Sequence, residues 1–159
     1  MFHKKSKVNN EVFGEVKRWE LGWTPSAHVQ FELWNQTYEL GIEIVDPDND
    51  SISKCQEDAY IKFKEKLEEF EKAVEQAASD YLDTQDTNVL KSMFKPYDLQ
   101  ISLNGECILM VDDTEQEEMD DQEGLAVFLF PKIAIFPGEQ YRDYVLGGGD
   151  EDIRRELYE

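Results

Sequence analysis

Between Cys55 and Tyr81 the apolar residues Cys55, Ala59, Phe63, Leu67, Phe70, Val74, Ala77 and Tyr81 recur every three or four positions, while the segments on either side alternate with a period of two. A period near 3.6 places side chains on one stripe of a helix, and a period of two places them on one face of a strand. A chain carrying both patterns in separate blocks must fold as a sheet with a helix laid against it. Ser53 followed by Gln56 has the spacing of a capping box, so the pattern predicts one long helix from Ser53 to Asp83. Its opposite face, with Lys62, Lys64, Glu65, Lys66, Glu68, Glu69, Glu71, Lys72 and Glu75, reads as a solvated surface.

The alternating segments predict strands over 11–19, 28–34 and 37–45, the last two forming a hairpin across Asn35-Gln36 with a loop over 21–26 before it. Residues 88–94 read as a short helical turn. Beyond Pro96, Asn104-Gly105 suits the positive φ angles of a two-residue type I′ turn, which would set Ile101 opposite Ile108 and Leu99 opposite Met110. That register puts Leu109 and Val111 on the second face. Residues 125–130 and 133–136 are apolar on both faces, so they need a cover on each side, supplied by the C-terminal extension 138–159 or by a second copy of the chain. The expected fold is a single α+β domain, with residues 1–10 as a flexible tail. It consists of a mostly antiparallel sheet of about six or seven strands with the long amphipathic helix on one face.

Charge limits the partners. The chain has 36 acids against 16 bases, a formal net charge of −20, which would repel nucleic acid and anionic membranes. Eight of the twelve residues from Asp112 to Glu123 are acidic, and no Lys or Arg occurs from Pro96 through Pro131. Asp112, Asp113, Glu115, Glu117, Glu118, Asp120 and Asp121 are therefore the expected steering surface for a basic protein partner, with the aromatic Trp34 and Tyr38 as anchors. The same surplus also keeps a chain soluble whatever it binds. No run approaches the roughly 18 apolar residues of a membrane helix, and two cysteines without CxxC spacing suggest reduced thiols, so a cytoplasmic location is expected.

The chemistry-bearing residues assemble no recognisable catalytic motif, and a non-enzymatic role with no cofactor is expected. Cys55 with His28 would make a nucleophile–base pair only if the fold joined them. Gly147-Gly148-Gly149 is followed by acids instead of the Lys of a phosphate loop. Asp46, Asp48, Asp50 and Glu57 hold positions one, three, five and twelve of a calcium loop, but Ser51 replaces its turn glycine and a strand precedes it. A calcium-binding structural module and a small enzyme of unknown reaction are the alternatives to protein binding.

Phe13-Gly14 with Trp19, then Gln56, Ala59-Tyr60 and Phe63, then Pro96 with Leu99, and finally Met119-Asp120-Asp121-Gln122-Glu123-Gly124-Leu125-Ala126-Val127 form a series of short motifs. Together they resemble a group of bacterial families of unknown function, some of whose members lie in toxin and immunity loci and are proposed to be immunity proteins. Met119 stands where that pattern has tryptophan and Glu123 where it has histidine. The resemblance implies an α+β fold and toxin neutralisation and brings no catalytic residues; together with the acidic charge, the expectation is an immunity protein, monomer or homodimer, that neutralises a basic toxin.

Overall fold

The computed structural model describes residues 7–47, 51–112, 124–145 and 151–159. The chain opens with β1 (Lys7–Asn10), paired antiparallel with β2 (Gly14–Trp19) so that Val8 faces Val16. The Asn10 side chain turns the chain between them by accepting the N–H groups of Val12 and Phe13 at 2.8 and 2.9 Å. Residues 7–10 are thus a strand, where a tail was expected. The segment read as a loop over 21–26 also contains a strand, β3 (Gly22–Pro25). A Cβ on Gly22 would lie 1.8 Å from the Ile44 carbonyl oxygen, so this glycine serves close strand approach, not a loop.

β4 (Val29–Leu33) and β5 (Gln36–Val45) form the expected hairpin one residue out of the expected register. Leu33 pairs with Gln36, so Trp34 and Asn35, at φ 51° and 62°, are the turn. Trp34 was expected to be an aromatic anchor for a partner. The turn instead swings its indole into the core, 9% exposed and edge-on to Phe94 at 5.8 Å. The outer edge of β4 is closed by helix carboxylates, since Glu71 and Glu75 accept the N–H groups of Glu32 and Trp34, each at 2.6 Å.

The predicted long helix is two helices, α1 (Lys54–Glu65) and α2 (Leu67–Leu82), broken at Lys66, which sits at φ −111° and ψ 23°. The capping box of Ser53 and Gln56 is present. No Gly or Pro marks the break. It lets α1 lie against the middle of the sheet and α2 against β4 and the far strands, while Phe63 and Phe70 stay stacked at 6.3 Å. The buried stripe consequently runs through Gln56, Ala59, Tyr60, Phe63, Phe70, Val74 and Ala78, leaving Cys55 and Tyr81 exposed. Gln56 is 1% exposed and donates to the carbonyls of Val45 and Ser102 at 2.7 and 3.1 Å, which ties the start of α1 to two strand ends.

After α3 (Thr87–Met93), capped by Asp86, the chain enters β6 (Lys95–Ile101), which runs parallel to β5 because three helices bridge the two strands. The strands β7 (Cys107–Asp112), β8 (Leu125–Phe130) and β9 (Ala134–Pro137) then add antiparallel. The sheet order is β1-β2-β3-β5-β6-β7-β8-β9 with β4 on β5, nine strands among the described residues. The sheet is wider than expected.

The β6–β7 loop contains three residues, not two: Ser102 and Glu106 bond at 3.0 Å, and Gly105 takes φ 78°. Leu99 therefore faces Leu109, and Ile101 faces Cys107. This slip of one residue moves Leu109 and Val111 onto the helix-covered face and sends Ile108 and Met110 to the other. That second face is covered from within the chain. α4 (Gly138–Val145) and α5 (Glu151–Tyr158) bring Tyr141, Ile153 and Leu157 onto Ile108, Met110, Ala126, Phe128 and Phe136.

Glu106 fastens this cover. Its carboxylate, 2% exposed, accepts the hydroxyls of Ser102, Tyr144 and Tyr158 at 2.9, 2.7 and 2.6 Å, joining the hairpin to both helices. Glu106→Ala leaves three hydroxyls without that acceptor and should cost about 2–4 kcal/mol. Thermal unfolding with amide exchange should show a lower Tm and faster exchange across 138–145 and 151–158 than in β5 and β6. Unchanged exchange there would contradict this role for Glu106.

Candidate functional site

α4 and α5 do not cover the whole second face. Beside α4 the sheet continues across β6 and β5 to Trp19 and Leu21, leaving a cleft of about 580 Å³. Period-two alternation supplies its floor: Glu43 lies between Ile42 and Ile44, and Gln100 between Leu99 and Ile101, with the apolar neighbours turned to the helix side. A bulge supplies a wall. Pro96 pairs with Val111 and Asp98 with Met110, so Tyr97 is the extra residue, and it stays 51% exposed at the cleft. Tyr141 and Arg142 line it from α4, Trp19 from β2, and Asp112 from the end of β7.

The floor is held by a chain of hydrogen bonds. Tyr141 Oη donates to Gln100 Oε1 at 2.8 Å, and Gln100 Nε2 donates to Glu43 Oε2 at 3.0 Å. Beside Glu43 on the same face lies Asp98, 8% exposed, whose protonated carboxyl hydrogen-bonds to Glu43. Burial first, and then the negative charge of Glu43, push Asp98 up to about 7, while burial raises Glu43 as well. The two acids thus share a proton near neutrality. Gly41 makes this possible, because a Cβ there would lie 2.9 Å from Asp98 Oδ1. The Trp19 indole N–H is buried with no partner among the described residues.

The residues expected to bind a partner are only partly assembled here. Asp112 is exposed and lies in the cleft wall. Asp113, Glu115, Glu117, Glu118, Asp120 and Asp121 lie outside the described residues, as do Asp48, Asp50 and the Gly147 triplet. Trp34 is a core residue. Tyr38 is half-buried against the helix-side core, with its hydroxyl unpartnered among the described residues, so it sits across the sheet from Asp112.

The remaining candidates are occupied elsewhere. Asp46 is fully buried and accepts the Trp23 indole N–H at 3.1 Å, and Glu57 accepts Asn10 Nδ2 at 3.0 Å. No group of three or more His, Cys, Asp or Glu suited to a metal ion occurs among the described residues. Cys55 contacts Ser53 Oγ and the Leu103 carbonyl, whereas His28 meets Glu39 at 3.1 Å, so they form no dyad. Cys107 is wholly buried, which pushes its thiol up and makes it inert. No described helix is long and apolar enough to cross a membrane.

Sequence reasoning missed Glu43, Asp98 and Gln100. Gly41, isolated in a β-rich run, was the available signal of close packing.

The acid pair makes stability depend on pH. Asp98 has a folded pKa near 7 against an ordinary 3.8, so the folded state holds a proton that the unfolded state has lost between those values, and stability falls as pH rises from about 4 to 7. Asp98→Asn removes that liability. Urea unfolding should show it more stable than the parent above pH 7 by about 1–3 kcal/mol, with the difference shrinking toward pH 4. A pH-independent difference would contradict the shared proton.

Compared with protein-family models, with curated proteins and with solved structures, the chain matches none of them.

Proposed function

We propose that the chain is a non-enzymatic binding domain that captures a basic protein, as an immunity protein does when it neutralises a toxin. The observation that carries this reading is the uninterrupted lack of Lys and Arg from Pro96 through Pro131, within a chain of net charge −20. That stretch contributes Tyr97, Gln100, Met110 and Asp112 to the cleft and contains the acidic run, whose first residue is Asp112. Such a surface steers a cationic partner and raises its association rate, while contacts in a concave site set how long the complex lasts.

One observation favours a small enzyme: a proton shared by two carboxyls is an acid–base device. Asp98, however, is 8% exposed and does not line the cleft. Binding therefore remains the better reading.

The test uses the product of the adjacent gene as partner. Neutralising Asp112, Asp113, Glu115, Glu117 and Glu118 to their amides should lower the association rate several-fold at low salt and change dissociation much less. In wild type the rate should fall steeply with added salt, since screening acts within about 10 Å at ordinary ionic strength. Equal association rates for the two proteins at low salt would reduce the acidic run to a solubilising surface.

A further inference from the structure

We infer that the cleft between α4 and the open part of the sheet is a seat for a guanidinium group, the side chain of an arginine presented by a polypeptide. This rests on the binding reading above and specifies its anchor. The cleft combines a carboxylate floor with aromatic walls. Glu43 is at the floor and Asp112 in the wall, and Trp19, Tyr97 and Tyr141 surround the space. Arg142 also lines it but already has an interaction of its own.

A planar, delocalised cation fits these surfaces better than a compact one. Guanidinium stacks on aromatic rings, donates two parallel bonds to a carboxylate, and sheds water more easily than ammonium does. Its methylene stem can rest on Leu21, Val45 and Met110, which line the same space. The floor is preorganised, because the Tyr141–Gln100–Glu43 chain fixes the carboxylate before anything binds. The bulge that turns Tyr97 toward the cleft leaves that ring with half its surface in solvent.

A second cleft, beside α5, lacks these properties. About 460 Å³ in volume, it is bounded by Asp152, Arg155 and Glu156, and Arg155 already lies 3.9 Å from Asp152. Glu156 is likewise paired, with Lys132 at 3.3 Å.

The test is an NMR titration of the full chain at low salt with N-acetyl-arginine methylamide, compared with the citrulline and lysine analogues. Citrulline keeps the shape and loses the charge; lysine keeps the charge and loses the plane. The arginine analogue should shift the Trp19 indole and the amides of Glu43, Tyr97 and Gln100 saturably, with lysine weaker and citrulline not saturating. Glu43→Gln should weaken binding roughly tenfold or more. Tyr97→Ala, at a half-exposed residue, should weaken it several-fold.

Absence of saturable shifts, equal binding of citrulline or lysine, or undiminished binding in both variants would overturn the assignment. A partner that binds through the acidic run although arginine leaves the cleft unshifted would sink this inference alone. Arginine binding without any partner association would instead sink the proposed function.

Discussion

Side chains on a strand alternate between faces, so the pairing of Leu99 with Leu109, one residue away from what a two-residue turn would impose, decides what each cover must bury. With it, Leu109 and Val111 join Phe63 and Val74 in the larger core, and Ile108 and Met110 pass to the core beneath α4 and α5. The three-residue loop that sets this register also positions Ser102 and Glu106 for their mutual bonds. A hairpin of five residues at its tip thereby determines where both layers of helix attach.

Buried polar groups lock those attachments. Gln56, Asp46 and Glu106 are each nearly inaccessible, and each has hydrogen-bond partners: strand carbonyls for Gln56, an indole N–H for Asp46, three hydroxyls for Glu106. A buried polar atom left without a partner would cost more than the bond itself contributes, so these residues specify geometry more than they add stability. Asp98 is the exception in kind. It is stabilised as a neutral acid beside Glu43, and its hydrogen bond to that residue couples the charge of the site to pH.

The cleft exists because the covers are narrower than the sheet. Two eight-residue helices over β7–β9 cannot reach the strands on the other side of β5, and the exposed remainder of that face becomes a concave surface with an acidic floor. Electrostatic asymmetry and shape then coincide, which is the physical basis for reading the surplus of acids as more than a solubilising coat.

Much of the layout was legible in one dimension. Local periodicity marked the antiparallel strands around residues 29–45 and 95–137, the capping box at Ser53 and the helical blocks, because those depend on neighbours within a few residues. The net charge and its concentration were likewise fixed by composition. Tertiary structure alone decided the break at Lys66, the strand at Gly22–Pro25, the parallel pairing of β5 with β6 and the inward turn of Trp34. It alone also brought Glu43 and Asp98 together. Each of these depends on contacts between residues distant in the chain, and a period of two predicts which residues share a face without saying which face will be covered.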